Sequence, residues 1–417
     1  MSRLTIEGGF PLKGTVQVSG AKNSVLPILA ACIMLDGETV LTNVPYLNDV
    51  SIMVRMLSAL GVRAEYYHHN KIKIWNKGKL RHMAPYDLVT SMRASFFVAG
   101  PLLAKTGLAK VPLPGGCSIG TRPVDIHLKG FEALGAKVSI EHGFVSMQAD
   151  KLKGGPVPLG FPSVGATENL MMAASLAEGD TVIQNAAKEP EITDLANLLI
   201  QAGAKIEGVG TSTIHITGVK TLQGLASYPI IPDRIEAGTL IIAAALCDDE
   251  VRVEGVVPGH IESVLYKLKQ CGVNFTVEEN AVVVKPRKRN LTAVDIETAP
   301  YPGFPTDMQA QMMTLLTIAE GKSIIKEKIF ENRFMHAREL MRMGAKIKID
   351  EHTATITGVK NLSGAEVKIT DLRAGAALIL AGLVAKGYTN VYGLHHLNRG
   401  YYQLDQKLKE LGAKSFK

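Results

Sequence analysis

Hydrophobic and polar positions along the chain follow one pattern that recurs six times. The end of an amphipathic helix is followed by a glycine, and then by a strand in which apolar and polar residues alternate. These glycines recur at intervals of 68–74 residues. Glycine suits a helix end because it adopts the left-handed backbone conformation without a clash at Cβ. The six segments are Leu57–Tyr67, Phe131–Glu141, Leu199–Val209, Leu268–Glu278, Leu340–Asp350 and Leu408–Lys417.

A helix of small apolar residues lies between successive copies of this segment, again six times. Helices that are apolar on all sides are typically buried. Each repeat of about 70 residues is therefore predicted to contain a strand, a buried helix, a strand, an amphipathic helix and two paired strands. The predicted first residues of the buried helices are Lys22, Arg93, Thr167, Arg234, Asp307 and Arg373.

Four of these six helix starts carry a cation. The N-terminus of a helix has unpaired N–H groups and a partial positive charge, so a cation there is unfavourable unless another charge compensates. The pattern therefore favours an anionic ligand at the helix starts. The alternative interpretation is that these are ordinary helix-start residues.

Composition and charge narrow the class of protein. The 417 residues are 46% hydrophobic and 20% charged, with a net charge of +7, which predicts a globular chain of two or three domains with anionic partners. The densest basic run, Lys285–Arg289, is short, which favours a small charged ligand over nucleic acid. No apolar stretch reaches the ~20 residues that cross a bilayer. The first residues also have no apolar signal core, so a cytoplasmic protein without membrane insertion is expected.

Cys117 is the candidate reactive group. It lies in the glycine- and proline-rich loop 112–123, PLPGGCSIGTRP, and conspicuous loops often carry function. Arg122 follows in the same loop, and a nearby cation favours the thiolate, so the thiol can act as proton donor or nucleophile. The other three cysteines have apolar helical neighbours and are predicted to be buried. Four scattered cysteines predict neither a disulfide framework nor a zinc site.

Asp307 is the second candidate, in the segment FPTDMQAQ at the start of a buried helix. A carboxylate there is either a helix N-cap or a base held at a cleft. The chain has no Walker A loop, Rossmann fingerprint, HExxH or GxSxG motif. ATP, dinucleotide and zinc chemistry are therefore disfavoured, and neither a cofactor nor a metal is expected.

Seven motifs, in order, resemble those of the UDP-N-acetylglucosamine 1-carboxyvinyltransferase family of enolpyruvyl transferases. The resemblance covers essentially the whole chain. The motifs are SGAKNS (Ser19–Ser24), GGCSIGTRPVD (Gly115–Asp125), SVGATEN (Ser163–Asn169), FPTDMQAQ (Phe304–Gln311), FENRFMH (Phe330–His336), TDLRAG (Thr370–Gly375) and NRGY (Asn398–Tyr401).

The resemblance implies an α/β fold of two lobes, each an inside-out barrel of three βαβαββ repeats, with the active site between the lobes. One lobe is expected at residues 22–230, including the loop 112–123. The other is expected at residues 1–21 together with residues 231–417. The periodic pattern alone does not assign the first twenty or so residues to the second lobe.

The resemblance also implies a reaction. The enolpyruvyl group of phosphoenolpyruvate is transferred to the 3′-hydroxyl of UDP-N-acetylglucosamine by addition and elimination, which releases phosphate and opens peptidoglycan precursor synthesis. Cys117 matches the general acid beside the methylene carbon, and it is the residue that fosfomycin alkylates. Asp307 matches the aspartate beside the acceptor hydroxyl. The expected phosphoenolpyruvate-binding residues are Lys22, Asn23, Arg122 and Arg399, of which Lys22 and Arg399 are also counted as catalytic.

A further set matches the family's contacts to the nucleotide sugar. One departure is Phe161, where some members carry a lysine that neutralises the diphosphate, and this puts one diphosphate contact in doubt. Arg333 and Arg373 are expected in the electrostatic surroundings of the site, and Asp371 in a domain-closure contact. The expected nucleotide-sugar residues are Arg93, Arg122, Pro123, Val124, Asp125, Ile126, Ser163, Val164, Gly165, Asp307 and Ile329.

Two other interpretations remain open on the residues. One is a transferase like 5-enolpyruvylshikimate-3-phosphate synthase, which has the same fold and donor but lacks the cysteine loop. The other is a non-catalytic, anion-binding paralogue that keeps the fold without turnover. The GGCSIGTRPVD loop favours the nucleotide sugar as acceptor, and phosphate release from the two substrates separates all three.

Overall fold

The computed structural model describes residues 3–68, 70–76, 78–114 and 124–416. Cys117, Arg122 and Pro123 lie outside the described residues. In chain order the helices are α1 (Lys22–Ala31), α2 (Asn48–Ala59), α3 (Tyr86–Ser91), α4 (Ala99–Thr106), α5 (Asp125–Ala133), α6 (Val164–Ala174), α7 (Pro190–Gln201), α8 (Arg234–Cys247), α9 (Glu262–Gln270), α10 (Gln309–Leu316), α11 (Met335–Arg342), α12 (Leu372–Val384), α13 (Leu394–Leu397) and α14 (Leu404–Glu410).

Strands and short 3₁₀ turns alternate with these helices. The 3₁₀ turns are Arg93–Val98, Pro258–Ile261 and Thr306–Met308. The strands are β1 (Arg3–Glu7), β2 (Gly14–Gln17), β3 (Leu35–Thr42), β4 (Arg63–Tyr66), β5 (Ile72–Asn76), β6 (Leu108–Pro112), β7 (Lys137–Glu141), β8 (Phe144–Gln148), β9 (Pro156–Pro158), β10 (Asp180–Gln184), β11 (Lys205–Glu207), β12 (Thr213–Thr217), β13 (Leu222–Gln223), β14 (Tyr228–Pro229), β15 (Val251–Glu254), β16 (Phe275–Val277), β17 (Ala281–Val284), β18 (Ile296–Glu297), β19 (Lys322–Lys326), β20 (Lys346–Asp350), β21 (Thr353–Thr357), β22 (Glu366–Lys368), β23 (Tyr388–Tyr392) and β24 (Lys414–Phe416).

The described residues form two compact units. The first, called here the 20–231 unit, contains residues 20–114 and 124–231. The second, called the 232–416 unit, contains residues 232–416 together with residues 3–19. None of the helices in the described part of the chain is long and apolar enough to cross a membrane.

Most sheets share one order of strands. In the sheet β9-β10-β12-β11, β9 and β10 run parallel, and β12 and β11 complete it as antiparallel neighbours. The sheet β18-β19-β21-β20 repeats this order in the 232–416 unit. In both sheets a helix connects the two parallel strands, which is the usual way to link neighbours that run in the same direction. The pattern that recurs in the sequence is therefore one structural unit.

Remote segments complete three of the sheets, which corrects the expectation that each repeat supplies all its own strands. Strands β13 and β14 pair with β3, so the end of the third repeat supplies the first strand of the first repeat. Strand β2 pairs in parallel with β15, and β1 lies between β23 and β24. The N-terminal segment thus closes two sheets of the 232–416 unit, and Asp233 N–H also donates to the Ser19 carbonyl at 2.8 Å.

The buried helices are covered on every side, as their sequences predict. All residues of α8 from Ile235 to Leu246 are buried. Asp233 begins this helix, because its carboxylate accepts from the N–H groups of Ile235 and Glu236 at 2.8 and 3.0 Å. Helix α12 packs against α8, α10 and α11. The core of each unit therefore lies between its sheets and around these helices.

The predicted helix starts are confirmed with small differences. Lys22 and Arg234 are the first residues of α1 and α8, and Arg373 is the second residue of α12. Arg93 and Asp307 lie in the 3₁₀ turns that lead into α4 and α10. Thr167 is three residues inside α6, which begins at Val164. The correction for α6 follows from Ser163, whose hydroxyl accepts from the Ala166 N–H at 3.4 Å and caps the helix earlier.

Candidate functional site

In the 232–416 unit, the carboxylate of Asp307 lies between two arginines. Its Oδ1 accepts from Arg333 at 2.6 Å, and its Oδ2 accepts from Arg373 at 2.7 Å. The Asp307 side chain is 27% exposed, whereas those of Arg333 and Arg373 are 5% and 4% exposed. The arrangement therefore presents a carboxylate whose two buried partners fix its orientation.

Three different helix starts bring these side chains together. Asp307 lies in the 3₁₀ turn before α10, Arg373 in the first turn of α12, and Arg333 just before α11. The first turn of α12 is held by Asp371, whose Oδ1 accepts from the N–H groups of Arg373 and Ala374 at 2.9 and 3.1 Å. Asp371, expected in a domain-closure contact, is thus a helix N-cap here.

A buried hydrogen-bond network holds the backbone of Asp307. The side-chain amide of Gln311 donates to the Asp307 carbonyl at 2.9 Å and also contacts the hydroxyls of Thr239 and Tyr401 at 3.1 and 3.0 Å. The guanidinium of Arg373 lies over the Tyr401 ring, 5.4 Å from its centre. Sequence reasoning missed Gln311 and Tyr401 as supporting residues, although both belong to the quoted motifs FPTDMQAQ and NRGY.

Burial and charge oppose each other at Arg373. Burial alone would lower the pKa of its guanidinium, but the charge of Asp307, the Tyr401 side chain and the hydrogen bond to Asp307 together raise that pKa above its ordinary value. Burial also raises the pKa of the Tyr401 hydroxyl. Arg373 therefore stays a cation next to Asp307, and Tyr401 stays neutral.

A buried carboxylate, Glu327, contacts residues on the other side of Asp307. Its Oε1 accepts from the Ile329 N–H at 2.9 Å, and its Oε2 accepts from the Thr306 hydroxyl at 2.9 Å. Thr306 immediately precedes Asp307, so Glu327 connects the expected contact residue Ile329 to the turn that carries Asp307. Sequence reasoning missed Glu327 because nothing in the local pattern distinguishes it from a surface carboxylate at the end of a strand.

Arg399, also expected in the site, lies half-buried in the turn after α13. It is close enough to His396 for its charge to add to burial and to His395 in lowering the pKa of the His396 imidazole. The structure thus places this arginine in the 232–416 unit, next to His396.

In the 20–231 unit, Lys22 begins α1 and Asn23 follows it. The ammonium of Lys22 is 3.1 Å from the Asp49 carboxylate, with side chains 14% and 1% exposed. The next residue, Ser24, donates to the buried carboxylate of Asp194, which also accepts from the Tyr228 hydroxyl at 2.7 Å. Two buried carboxylates therefore hold the first turn of α1, and the Lys22 side chain is the more exposed member of its ion pair.

These pairings change the expectation that external anions compensate the cations at the helix starts. Lys22 and Arg373 each have a carboxylate of the same unit within ion-pair distance, Asp49 and Asp307 respectively. An ion pair within the protein already offsets part of the unfavourable position of a cation at a helix N-terminus. The cations at Lys22 and Arg373 are therefore no argument by themselves for a bound anion.

The expected nucleotide-sugar residues of this unit lie at the starts of α5 and α6. Val124 precedes α5 and is buried, whereas Asp125, its first residue, is exposed and Ile126 is half-buried. Ser163, Val164 and Gly165 form the capped first turn of α6. Arg93 is half-buried and lies close enough to His127 to lower the pKa of that imidazole. Phe161, at the position where some members of the resembling family carry a lysine, is 44% exposed.

The cysteines in the described part of the chain are inert. Cys32, Cys247 and Cys271 are free, and burial raises the pKa of each thiol to about 12. Thiols with such high pKa values are protonated near neutral pH and are poor nucleophiles. The prediction of burial is therefore confirmed for Cys32 and Cys271, whereas Cys247 is half-buried.

Comparison with known proteins identifies the class. A sequence profile described as EPSP synthase (3-phosphoshikimate 1-carboxyvinyltransferase) matches residues 6–408. The chain therefore belongs to the EPSP synthase family of enolpyruvyl transferases.

Relatives within this family share more than half of their residues with the chain. "UDP-N-acetylglucosamine 1-carboxyvinyltransferase 1" of Caldanaerobacter subterraneus subsp. tengcongensis is 55% identical over 417 residues, which is 100% of this chain and 99% of the relative. "UDP-N-acetylglucosamine 1-carboxyvinyltransferase 2" of Carboxydothermus hydrogenoformans is 53% identical over 99% of both chains. The resemblance identified from the motifs is thus confirmed.

Solved structures confirm the fold class. The enolpyruvyl transferase NikO from Streptomyces tendae superposes with a TM-score of 0.89 at 27% identity and covers 99% of this chain and 98% of its own. EPSP synthase from Acinetobacter baumannii superposes with a TM-score of 0.77 at 19% identity over the full length of both chains. At that identity the second likeness concerns the fold alone.

Proposed function

We propose that this protein transfers the enolpyruvyl group of phosphoenolpyruvate to the 3′-hydroxyl of UDP-N-acetylglucosamine and releases phosphate, the first committed step of peptidoglycan precursor synthesis. The observation that carries the proposal is identity of 51–55% over essentially the full chain to relatives named UDP-N-acetylglucosamine 1-carboxyvinyltransferase. A cytoplasmic location is part of the proposal, because both substrates are highly charged metabolites.

Asp307 is the proposed proton acceptor for the sugar hydroxyl. A hydroxyl becomes a nucleophile when a positioned base removes its proton. The contacts of Asp307 with Arg333 and Arg373 support this role, because they aim the carboxylate while its side chain stays 27% exposed. Since Gln311 holds the Asp307 carbonyl and Glu327 holds the Thr306 side chain, the base does not have to be ordered when substrate binds.

Cys117 is the proposed general acid that protonates the methylene carbon of phosphoenolpyruvate. In the addition step, the sugar oxygen forms a bond to the neighbouring carbon while the methylene takes a proton and becomes a methyl group. In the elimination step, the Cys117 thiolate takes back a proton from that methyl group, phosphate departs with the proton held by Asp307, and the enol ether forms. The proton removed by Asp307 and the one supplied by Cys117 balance the addition, and no oxidant or cofactor is required.

Three cations and one side-chain amide are the proposed ligands of phosphoenolpyruvate, which carries a phosphate and a carboxylate close together. Lys22, Asn23, Arg122 and Arg399 are assigned this role. The proposal is supported by the exposure of the Lys22 ammonium relative to its buried partner Asp49 and by the half-buried position of Arg399. Arginine suits both anionic groups because its planar fork donates paired hydrogen bonds.

Helix starts of the 20–231 unit are the proposed ligands of the nucleotide sugar. The first turns of α5 and α6 present backbone N–H groups, which suit a diphosphate. Phe161 offers no charge there, so Arg93 is assigned a larger share of diphosphate binding. The full proposed set is Arg93, Arg122, Pro123, Val124, Asp125, Ile126, Ser163, Val164, Gly165, Asp307 and Ile329.

Phosphate release tests the reaction and its acceptor together. The protein is mixed with phosphoenolpyruvate and either UDP-N-acetylglucosamine or shikimate 3-phosphate, and the inorganic phosphate formed is measured. Phosphate release is expected with UDP-N-acetylglucosamine as the acceptor and not with shikimate 3-phosphate. Release only with shikimate 3-phosphate would support the rival transferase, and no release with either acceptor would support a non-catalytic, anion-binding protein.

Fosfomycin tests the assignment of Cys117. The drug is expected to inactivate the wild type by alkylating this thiol. In the Cys117→Asp variant, inactivation is expected to disappear while turnover persists, because a carboxylic acid can also donate a proton. Unchanged sensitivity of the variant would contradict the assignment, and the buried Cys32→Ala variant is the matched control that should remain sensitive.

A further inference from the structure

Asn169, in the second turn of α6, has a side-chain amide whose orientation is fixed by two backbone groups. Its Oδ1 accepts from the Gly100 N–H at 2.9 Å, and its Nδ2 donates to the Phe96 carbonyl at 3.2 Å. A backbone N–H only donates and a carbonyl only accepts, so each contact independently assigns the oxygen and the nitrogen. The residue is fully buried, so no water competes for these contacts.

The second amide hydrogen of Asn169 is directed at His127. Asn169 Nδ2 is 3.1 Å from His127 Nδ1. Because Nδ2 is a donor, Nδ1 must accept, and the proton of the neutral imidazole is therefore on Nε2. Burial lowers the pKa of His127 to about 3, and the charge of Arg93 acts in the same direction, so the ring is neutral near pH 7.

Close packing leaves the imidazole little freedom to rotate. The Phe96 ring meets it edge-on, at 5.2 Å between ring centres and an angle of 89°. On α4, a side chain at Gly100 would place its Cβ 2.3 Å from the Asn169 carbonyl, so only glycine lets α4 approach α6 this closely. The amide, the ring and the two helices are therefore mutually fixed.

The Nε2 side of His127 lies against the first turn of α6. A Cβ at Gly165 would be 3.3 Å from His127 Cε1 and 3.5 Å from Nε2. Gly165 thus leaves room for the imidazole next to the helix start, where the Ser163 hydroxyl already accepts from the Ala166 N–H. Arg93 is near enough to act on the ring electrostatically. The neutral Nε2–H donor of His127, the guanidinium of Arg93 and the N-terminus of α6 therefore lie close together.

We propose that Asn169 is a positioning residue, which holds His127 in the tautomer that directs its Nε2–H to an anionic oxygen of the nucleotide sugar at the start of α6. The inference rests on the proposed function for the identity of that ligand. Asn169 itself does not touch the substrate and acts through the imidazole. The imidazole binds as a neutral donor and does not change its charge when the diphosphate arrives.

Two substitutions at His127 separate the Nε2 donor from the Nδ1 acceptor. The amide of His127→Gln reaches the Nε2 position, whereas the amide of His127→Asn reaches only the Nδ1 position. Loss of a hydrogen bond to a charged group costs about 1.5–3 kcal/mol, which corresponds to roughly 10- to 100-fold in affinity. The Asn variant is therefore expected to raise the KM for UDP-N-acetylglucosamine roughly 10-fold or more. The Gln variant is expected to stay near the wild type, and the KM for phosphoenolpyruvate should stay constant in both.

A substitution at Asn169 tests the tautomer itself. In Asn169→Asp, a carboxylate replaces the donor, so the proton of His127 is expected to move to Nδ1. Nuclear magnetic resonance of the ligand-free protein, with isotope-labelled histidine, identifies which ring nitrogen carries the proton. The wild type is expected to show Nε2–H at His127 and the variant Nδ1–H, with a higher KM for the nucleotide sugar. Asn185→Asp is the matched control, because Asn185 in the same unit donates to the Leu159 carbonyl at 2.9 Å and has no such histidine contact.

The outcomes separate this inference from the proposed function. An Nδ1–H tautomer in the wild type, or equal KM values for the Gln and Asn variants at His127, overturns the inference while wild-type turnover leaves the proposed function standing. A purely structural Asn169 would lower the melting temperature of Asn169→Asp without a change in tautomer or KM, which also overturns it. Absence of phosphate release by the wild type overturns the proposed function and with it the ligand named here.

Discussion

The two units use the same kind of ion pair at a helix start but expose opposite members of it. In the 20–231 unit, Lys22 is 14% exposed and its partner Asp49 is 1% exposed. In the 232–416 unit, Asp307 is 27% exposed, and its partners Arg333 and Arg373 are almost completely buried. In the 20–231 unit the more exposed member of the ion pair is therefore the cation Lys22, the presented cation. In the 232–416 unit it is the carboxylate Asp307, the presented acid.

This difference shows how one repeat can serve two chemical roles. The starts of buried helices are equivalent positions in both units, and the backbone there does not determine which charge faces outward. The choice depends on the partner from a neighbouring element, namely Asp49 on α2 or Arg333 before α11. A presented cation suits an anionic substrate, whereas a presented carboxylate suits a proton-transfer step.

The largest effect is expected for Asp307→Asn, which removes the charge of the presented acid. Loss of a general base lowers turnover by typically 10²- to 10⁴-fold, so kcat is expected to fall by about that factor. The melting temperature should also fall, because Arg333 and Arg373 lose their carboxylate partner in a buried position. Initial rates of phosphate release and thermal unfolding measure the two effects.

A matched control for Asp307→Asn is Asp295→Asn, since Asp295 is an exposed residue that accepts from the Ile324 N–H at 2.7 Å. Its kcat should equal that of the wild type. Turnover of Asp307→Asn close to the wild-type rate would show that the presented acid is not the base.

A smaller effect is expected for Lys22→Ala, which removes the presented cation. If Lys22 binds phosphoenolpyruvate, the lost contact to a charged group lowers kcat/KM for this substrate by roughly 10- to 100-fold. Lys105→Ala is the control, because Lys105 also pairs with a carboxylate, Asp36, at 2.6 Å but is not a proposed ligand. Steady-state kinetics with phosphoenolpyruvate varied at saturating nucleotide sugar give the ratio, and equal losses in both variants would refute the assignment.

A still smaller effect is expected for Asp49→Asn, which keeps the Lys22 cation but removes the negative charge of its ion-pair partner. The lysine can still reach an anion, while one hydrogen bond that orients it becomes weaker. A typical hydrogen bond contributes about 0.5–1.5 kcal/mol, so a loss of roughly 2- to 10-fold in kcat/KM is expected. A loss larger than that of Lys22→Ala would mean that Asp49 has a role of its own.

The smallest expected effect is a pH dependence of stability that arises from His336, whose pKa is influenced by Arg333. His336 is buried, and burial lowers the pKa of its imidazole to about 4, with Asp371 raising it and Arg333 lowering it. An exposed histidine has a pKa of about 6.5, so between these values the unfolded chain binds a proton that the folded protein does not. The free energy of unfolding therefore falls as the pH drops through this window.

Replacement of His336 by Gln removes this contribution. The melting temperature of the wild type should fall more steeply than that of His336→Gln when the pH is lowered from about 6.5 to about 5. Thermal unfolding followed by circular dichroism measures both curves. Parallel curves would mean that the imidazole is not kept neutral in the folded protein.

Much of the fold was predictable because it depends on short-range patterns. The recurring glycines and the apolar helices identified six repeats, and the helix starts at Lys22 and Arg234 follow from the same periodicity. The pairing of β2 with β15 and the position of β1 between β23 and β24 were not predictable from the pattern. These contacts join segments more than two hundred residues apart, and no local sequence pattern indicates such a pairing.

The candidate site was likewise predictable only in part. Asp307 was recognisable from its motif, but its partners Arg333 and Arg373 were expected only as general surroundings, and the structure gives them specific contacts. Asn169 also lies in a quoted motif, yet its role depends on Gly100 and His127 from other helices. Which side chains converge is a property of the tertiary structure, whereas the residue types at helix starts are a property of the sequence.

A crystal structure of the protein with bound UDP-N-acetylglucosamine tests most directly whether the presented acid of the 232–416 unit is the base. The account predicts that an Asp307 carboxylate oxygen lies within hydrogen-bond reach of the sugar 3′-hydroxyl, at about 2.6–3.2 Å, while Arg333 and Arg373 keep their contacts to the same carboxylate. An ordered nucleotide sugar whose 3′-hydroxyl hydrogen-bonds another side chain, with Asp307 beyond reach, would contradict it.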